Sequence, residues 1–277
     1  MDKRQWKVDV APGYQGIVYQ APLPDDLPPR LIHLLGHKGE PWLADIEARA
    51  YGDGLDLAAV ACCEGEPVAH CALLSSIRCA CIGLIGHVYT MEEHRRRGLA
   101  ASLMAAVLER FDEWGGRWLT LGTGSDVAAH LYEKLGFRTV NAAEEGGGRI
   151  MLRGAEQGDA LDAAYFSASG KWQAEPYERE HYVGLSMLLS AWPGRKKMPL
   201  IGVDSGLEAE RQLLVAYEDQ ERGDCAVSVL VDAHNARPHG VACRRGGTLE
   251  VYAPEADATV IEVFARQALR SAPDGQK

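Results

Sequence analysis

The sequence predicts an α/β fold of the α+β kind: a mixed, mostly antiparallel central sheet flanked by helices, followed by a second, smaller α/β domain. Three observations predict it. Apolar runs joined by turn residues crowd residues 55–90. Two stretches with apolar residues at every fourth position follow, over 99–114 and 126–137. A small, polar stretch, GAEQGDALD (154–162), then interrupts the pattern before strands and helices resume. With 277 residues, 47% of them hydrophobic, the chain has the length for two domains and the apolar content for their cores. The expected divisions are residues 1–153 and 160–277.

Taken in order, PPRLIHLLG (28–36) and PWLADIEARAY (41–51) each begin with proline where a helix can start, and Gly36 supplies a stop. LDLAAVACC, the turn residues EGEP and VAHCALLSS make a hairpin over 55–76, and CIGLIGHVYT (81–90) is a further strand. In LAASLMAAVLERFDEW, Leu99, Leu103, Val107 and Phe111 mark the buried face of a helix that stops near Gly115-Gly116. RWLTLGT (117–123) is the next strand. DVAAHLYEKLGF is a helix with Val127, Leu131 and Leu135 on one face and Gly136 at its end. FRTV and GRIMLR close the first domain. In the second, EREHYVGLSMLLSA and DATVIEVFARQALR read as helices, and CAVSVLV, HGVACRR and TLEVYA as strands.

Charge and composition narrow the function classes. The net charge is −10, with 16 basic against 20 acidic residues up to residue 153 and 13 against 19 beyond it. Neither half is basic, which argues against a nucleic-acid partner and suits amine or cationic substrates. The start, MDKRQWKVDVAPGYQG, lacks the apolar core of a leader peptide, and no window reaches the ~18 apolar residues of a membrane span. A cytoplasmic protein with no membrane partner is the expectation. Seven cysteines lie mostly within apolar runs and read as buried free thiols. No metal is expected, because Cys79-Ala80-Cys81 with His87 lacks the paired CxxC spacing of a metal site.

The chemistry is concentrated in two motifs. Arg95-Arg96-Arg97-Gly98-Leu99-Ala100 stands between a strand and a long amphipathic helix. Successive backbone N–H groups at a helix N-terminus bind anions, the helix dipole adds to the attraction, and glycine lets the backbone close upon a phosphate. Alone, the run is as readable as a solvated basic loop. The second motif, Ala128-x-x-Leu131-Tyr132-x-Lys134-x-Gly136-Phe137, follows after an intervening helix and strand and puts one tyrosine on the second helix.

Together these residues resemble the GNAT superfamily of N-acetyltransferases. Its signature is Gln/Arg-x-x-Gly-x-Gly/Ala, followed by an Asn-x-x-Ala-x-x-Leu-Tyr-x-x-x-Gly-Phe pattern. Arg95, Gly98 and Ala100 match the first part; Ala128, Leu131, Tyr132, Gly136 and Phe137 match the second. Ser125 stands where the family often has asparagine. The resemblance covers residues ~55–153.

What the resemblance implies is transfer of an acetyl group from acetyl-CoA to a primary amine, on a small molecule or peptide, by direct attack. The pantetheine arm would pair with the strand edge at Val88, Tyr89 and Thr90. The phosphates would sit on Arg95, Arg96, Arg97, Gly98, Leu99, Ala100 and Ala101, with Ser125 near the arm. Tyr132 would protonate the departing thiolate. His87 is the first candidate for a general base, against the alternative of a satisfied core histidine; Glu92 and Glu93 are further candidates acting through water. A homodimer is compatible with this reading.

The rival reading is a non-catalytic CoA-binding regulatory or interaction protein, against which the intact Tyr132 argues. The second domain lacks both motifs. Arg244-Arg245-Gly246-Gly247 has Leu249 where glycine or alanine is required and reads as a turn, and GRKKM (194–198) reads as a basic loop. A degenerate GNAT-like half, with Trp172, Tyr177, Tyr182 and Trp192 available to help select an acceptor, and an interaction role are both open for residues 160–277.

Overall fold

Strands β1 (Gln5–Val8), β2 (Gln15–Gln20), β3 (Leu57–Cys63), β4 (Glu66–Ser76), β5 (Cys79–Thr90), β6 (Trp118–Thr123), β7 (Arg138–Ala142) and β8 (Arg149–Gly154) make one sheet in the order β1-β2-β3-β4-β5-β6-β8-β7. From β1 to β5 each neighbour pairs antiparallel, and β5 with β6 is parallel. The computed structural model describes residues 4–51, 55–76, 78–142, 148–154, 169–191, 198–203, 208–254 and 256–270. By its internal contacts the chain divides into two compact units, Met1–Thr139 with Met151–Arg153, and Val140–Ile150 with Gly154–Lys277. From residue 155 on, the polar stretch ending at 162 lies outside the described residues, as do Trp192 and residues 194–197.

The β3–β4 hairpin turns on Glu64 and Gly65, whose φ values of 52° and 88° are those of a two-residue turn with both residues left-handed. Such a turn carries the twist of the flanking strands. Alternation then splits β3 between two layers. Leu57, Ala59 and Ala61 join a cluster with Leu103, Val107 and Phe111 of helix α3 (Leu99–Glu113). Ala58 and Val60 face Leu27 and Leu31 of α1 (Leu27–Leu35) and Ala50 of α2 (Glu40–Ala50). The sheet is thus buried on both sides, with α1 and α2 on one face and α3 on the other.

The apolar positions expected on α3 are all buried. Helix α4 (Asp126–Lys134) departs from its expected face: Val127 is 85% exposed, Leu131 and Leu135 are half-buried, and the buried residues are Ala129 and Tyr132. A nine-residue helix is held by one stripe, and here the aromatic ring takes the inner position. Strands β1 and β2 are invisible to the apolar pattern because QWKV and QGIVYQ are short and do not alternate cleanly.

The second unit contains β9 (Trp172–Pro176), α5 (Tyr182–Ala191), α6 (Ala209–Glu221), β10 (Ala226–Asp232), β11 (Pro238–Arg245), β12 (Thr248–Tyr252) and α7 (Ala258–Arg270). Its sheet runs β12-β11-β10-β9, with each pair antiparallel. Phe264 and Ala268 of α7 pack on Leu230, Ala242 and Ala253. Element for element, β9-α5-α6-β10-β11-β12-α7 repeats the order β2-α1-α2-β3-β4-β5-α3 of the first unit, and the two sets of strands are arranged alike. The Gly246-Gly247 segment, with φ of 55° and 91°, is the turn between β11 and β12. Among the described residues no helix is long and apolar enough to cross a membrane.

Candidate active site

Strand β5 parts from β6 part-way along. Their pairing runs from Ile82↔Trp118 to Leu84↔Thr120 and no further, although β5 continues to Thr90 and β6 to Thr123. On its other side β5 stays paired to β4 through His70↔Tyr89 and Ala69↔Thr90, so residues 85–90 keep one bonded edge and present the other to the gap. Between Ala72↔Gly86 and His70↔Tyr89, two residues of β5, His87 and Val88, stand opposite Cys71 alone. This is a β-bulge, and His87 carries its strain at φ 53°. The bulge re-aims the strand where the gap opens. Val88 then packs with the α3-side cluster. His87 turns to the α1–α2 side, edge-on to Trp42 at 5.5 Å between ring centroids.

The segment after β5 makes a loop that ends at an unshielded helix start. Met91 N donates to Val68 O at 2.9 Å, a single 3₁₀ turn spans Glu92–His94, and Arg95 Nε donates to Thr90 O at 3.1 Å. Arg96 has φ 61°, and Gly98 caps α3 at φ 77° with no side chain bonded over the end and no acidic residue in the first turn. The first intrahelical bond is Ser102 N to Gly98 O, at 3.0 Å, so the N–H groups of Leu99, Ala100 and Ala101 precede it. Apart from Gly98 and its two chain neighbours, no atom of the described residues lies within 4 Å of where a Cβ on Gly98 would stand. Arg95, Arg96, Arg97 and Gly98 are exposed. Tyr14 braces the loop: its hydroxyl lies 2.9 Å from His94 Nδ1, and the Arg97 guanidinium lies 5.8 Å from its ring centre. The sequence pattern gives no hint of Tyr14, because only the β1–β2 pairing brings it there.

Tyr132 approaches from α4. Ser125 is the N-cap of that helix, its hydroxyl accepting from Ala128 N at 3.3 Å, and its own N–H donates to Thr123 Oγ1 at 3.1 Å. At the far end Gly136 has φ 90°, and Phe137 N donates to Tyr132 O at 3.0 Å, which folds Phe137 back against the Tyr132 ring. That accounts for the Tyr-x-x-x-Gly-Phe spacing: glycine reverses the chain and phenylalanine locks the tyrosine. Tyr132 is 6% exposed and shares a core cluster with Val88, Met91 and Leu99. Burial, and then the neighbouring Cys71, push its hydroxyl up to about 12, so it keeps its proton.

Tyr132 and His87 therefore belong to opposite faces of the sheet, on either side of β5. His87 is 5% exposed, and its Nε2 has no hydrogen-bond partner among the described residues. Burial, followed by His70, Lys38 and Arg49, holds its ring well below the usual histidine range. His70 Nδ1 lies 3.1 Å from His87 O and so supports the bulge; burial lowers the His70 ring to about 4. Arg49 donates to Asp45 at 2.7 Å and to Asp56 at 3.2 Å, and Asp56 also accepts from Ser75 N at 2.8 Å. Burial raises Asp56 in spite of that arginine. Glu92 and Glu93 are exposed on the outer loop. Sequence reasoning missed His70 in β4 and, in α2, Trp42 and the Arg49 pairings, which only the fold brings beside β5. Among the described residues no group of three or more His, Cys, Asp or Glu side chains is placed to hold a metal ion.

Residues 26–137 match the family model described as the acetyltransferase (GNAT) family. This region is a GNAT-family acetyltransferase domain. The matched span contains both α1 and α2, the bulged strand, the Gly98 loop and Tyr132. No curated protein matches the chain. Among solved structures, an acyl-CoA N-acyltransferase from Pseudomonas aeruginosa is 22% identical, with a TM-score of 0.43 over 50% of this chain and 99% of its own. ElaA of Escherichia coli is 22% identical, with a TM-score of 0.42 over 50% and 97%. An aminoglycoside 6'-N-acetyltransferase complexed with coenzyme A is 15% identical, with a TM-score of 0.42 over 51% and 98%.

Proposed function

We propose that the GNAT domain transfers an acetyl group from acetyl-CoA to a primary amine by direct attack. The observation that carries this reading is the adjacency of two features: a β5 edge left open by the parting from β6, and an uncapped, basic helix start eight residues on. The residues present fit the donor. A diphosphate is matched by free N–H groups at Leu99–Ala101, by the α3 dipole and by the three arginines before Gly98. An extended amide-bearing arm is matched by the open edge at Val88, Tyr89 and Thr90, as an added strand would be. Ser125, with its hydroxyl already accepting from Ala128, retains a proton to donate toward that arm.

Acetyl-CoA supplies an activated thioester; the chain supplies position and protons. Backbone N–H groups in the gap polarise the carbonyl. Tyr132, protonated across the whole neutral range, donates to the sulfur as the C–S bond breaks. His87 stays neutral at pH 7, and in the tautomer with its proton on Nδ1 the Nε2 lone pair accepts an N–H of the attacking amine. Its depressed basicity suits it to orient the amine while the proton passes to solvent. The second unit carries no acyl-CoA site in this reading.

The test is release of free thiol from acetyl-CoA by the full chain, with and without added primary amines. Amine-dependent release is expected. Saturable CoA binding with no release under any amine would instead favour a binding protein without turnover.

A further inference from the structure

The bulge in β5 is built on a residue that strains it. A bulge whose first residue is left-handed ordinarily takes glycine there, because a Cβ at positive φ crowds the following carbonyl. Here that residue is His87, at φ 53°, with Val88 after it and Cys71 of β4 opposite the pair. A side chain held in such a conformation persists only where the surrounding structure fixes it.

His70 reaches the backbone of the bulge from β4. It stands opposite Tyr89 of β5 and Val60 of β3, and its ring faces the α1–α2 side, 6.5 Å from the ring of His87. Nδ1 of His70 lies 3.1 Å from His87 O. A carbonyl oxygen only accepts, so the proton of the neutral His70 ring is on Nδ1. Burial lowers that ring to about 4 and keeps it neutral at pH 7. In this one tautomer His70 donates to the carbonyl of the strained residue. Holding that carbonyl fixes the plane of the His87–Val88 peptide and, with it, the direction in which the imidazole leaves the strand.

Past the bulge, β5 is secured by other bonds. Tyr89 and Thr90 pair again with β4, Met91 N donates to Val68 O, and Arg95 donates to Thr90 O. Loss of the His70 bond therefore loosens the bulge and leaves the end of the strand and the Gly98 loop in place.

We infer that His70 is a positioning residue for acyl transfer: through its bond to the His87 carbonyl it holds the bulge that aims Nε2 of His87 at the amine. This rests on the acyl-transfer reading and adds to it the group that orients the imidazole. His70 itself touches neither donor nor acceptor in this role.

The experiment measures thiol release by the full chain with acetyl-CoA and n-butylamine, spermidine or kanamycin, using whichever amine the wild type turns over best. His70→Leu removes the donor and should lower kcat/KM for the amine about ten-fold or more, with acetyl-CoA affinity by calorimetry within about three-fold of wild type. His70→Asn places an amide N–H near the position of Nδ1 and should restore kcat/KM to within about three-fold of wild type. His87→Gly relieves the strain and removes the imidazole, and in that background His70→Leu should cost less than about two-fold more, since both changes act through one group. Thermal melting establishes that each variant is folded. Should His70→Leu not fold, His70→Gln, whose N–H lies beyond the Nδ1 position, takes its place with the same loss expected. Wild-type kcat/KM in the folded variant, no restoration by His70→Asn, or a full further loss in the His87→Gly background would overturn the inference and leave acyl transfer intact. Acetyl-CoA binding with no turnover of any of the three amines by the wild type would overturn both.

Discussion

Helices α3 and α7 follow the last strand of two like-ordered four-strand arrays, β2-β3-β4-β5 and β9-β10-β11-β12, yet they begin in opposite ways. The start of α3 has a left-handed glycine, no side-chain cap, no acid in its first turn and three arginines before it. The start of α7 has Asp257, whose carboxylate accepts from Val260 N at 2.9 Å while its carbonyl accepts from Ile261 N at 3.0 Å. A carboxylate in that position satisfies the dipole internally and repels a phosphate. The second array also lacks a basic run before its helix: Arg245 is in β11, ion-paired with Asp219. Repetition of a strand-helix order thus carries the scaffold and leaves out the features on which the proposed anion site rests, which a few residues at one helix end decide.

The sharpest way to break this contrast is at Gly98. Gly98→Val should weaken acetyl-CoA binding by roughly a hundred-fold or more, because valine resists positive φ and its side chain projects where the phosphates would lie. Calorimetry should give one equivalent of acetyl-CoA per wild-type chain and none for the variant; two equivalents in the wild type would end the distinction between the halves. Next in size is Tyr132→Phe, expected to lower kcat by roughly ten- to a thousand-fold with cofactor affinity nearly unchanged. Wild-type kcat in that variant would reduce Tyr132 to a packing residue.

A third measurement sharpens what the halves share. Burial lowers His70 in β4 and His239 in β11 to about 4. A histidine depressed in the folded state stabilises the protein above the unfolded value near 6.5 and loses that contribution as pH falls toward 4. For His70 the loss between pH 7.5 and 5 is about 2 kcal/mol. The urea midpoint should therefore fall over this range, and His70→Gln should flatten the dependence by its share. The smallest expected effect is at α7: Asp257→Ala should cost about 1 kcal/mol of stability through the lost cap, read from thermal melts, without creating acetyl-CoA binding. Binding gained there would mean that the aspartate alone had silenced the second array.

Much of the first unit was legible because its signals are local. The Glu64-Gly65 turn, the four-residue stripe of α3, and glycine at 98 and 136 are each short-range consequences of backbone sterics or apolar periodicity. The same holds for the Arg95–Gly98 loop and the Tyr132 helix, whose element order the fold reproduces. The second unit was less legible. Its β9 and α6 have no strong pattern, since α6 buries few large apolar residues and instead turns Asp219 inward toward arginines.

By itself the sequence determined most element types of the first unit from α1 onward, the glycine and arginines before α3 that the proposed phosphate loop uses, and the one tyrosine proposed to donate a proton. Those properties reside in neighbouring backbone groups and in spacings of three, four or five residues. Only the tertiary structure decided that β5 bulges at His87, that β6 leaves it after Leu84, and that Val127 faces outward while Tyr132 is buried. It alone brought His70, Lys38, Trp42 and Arg49 around one imidazole. Those outcomes depend on pairing registers and on desolvation by distant elements, and neither is encoded in any local stretch of the chain.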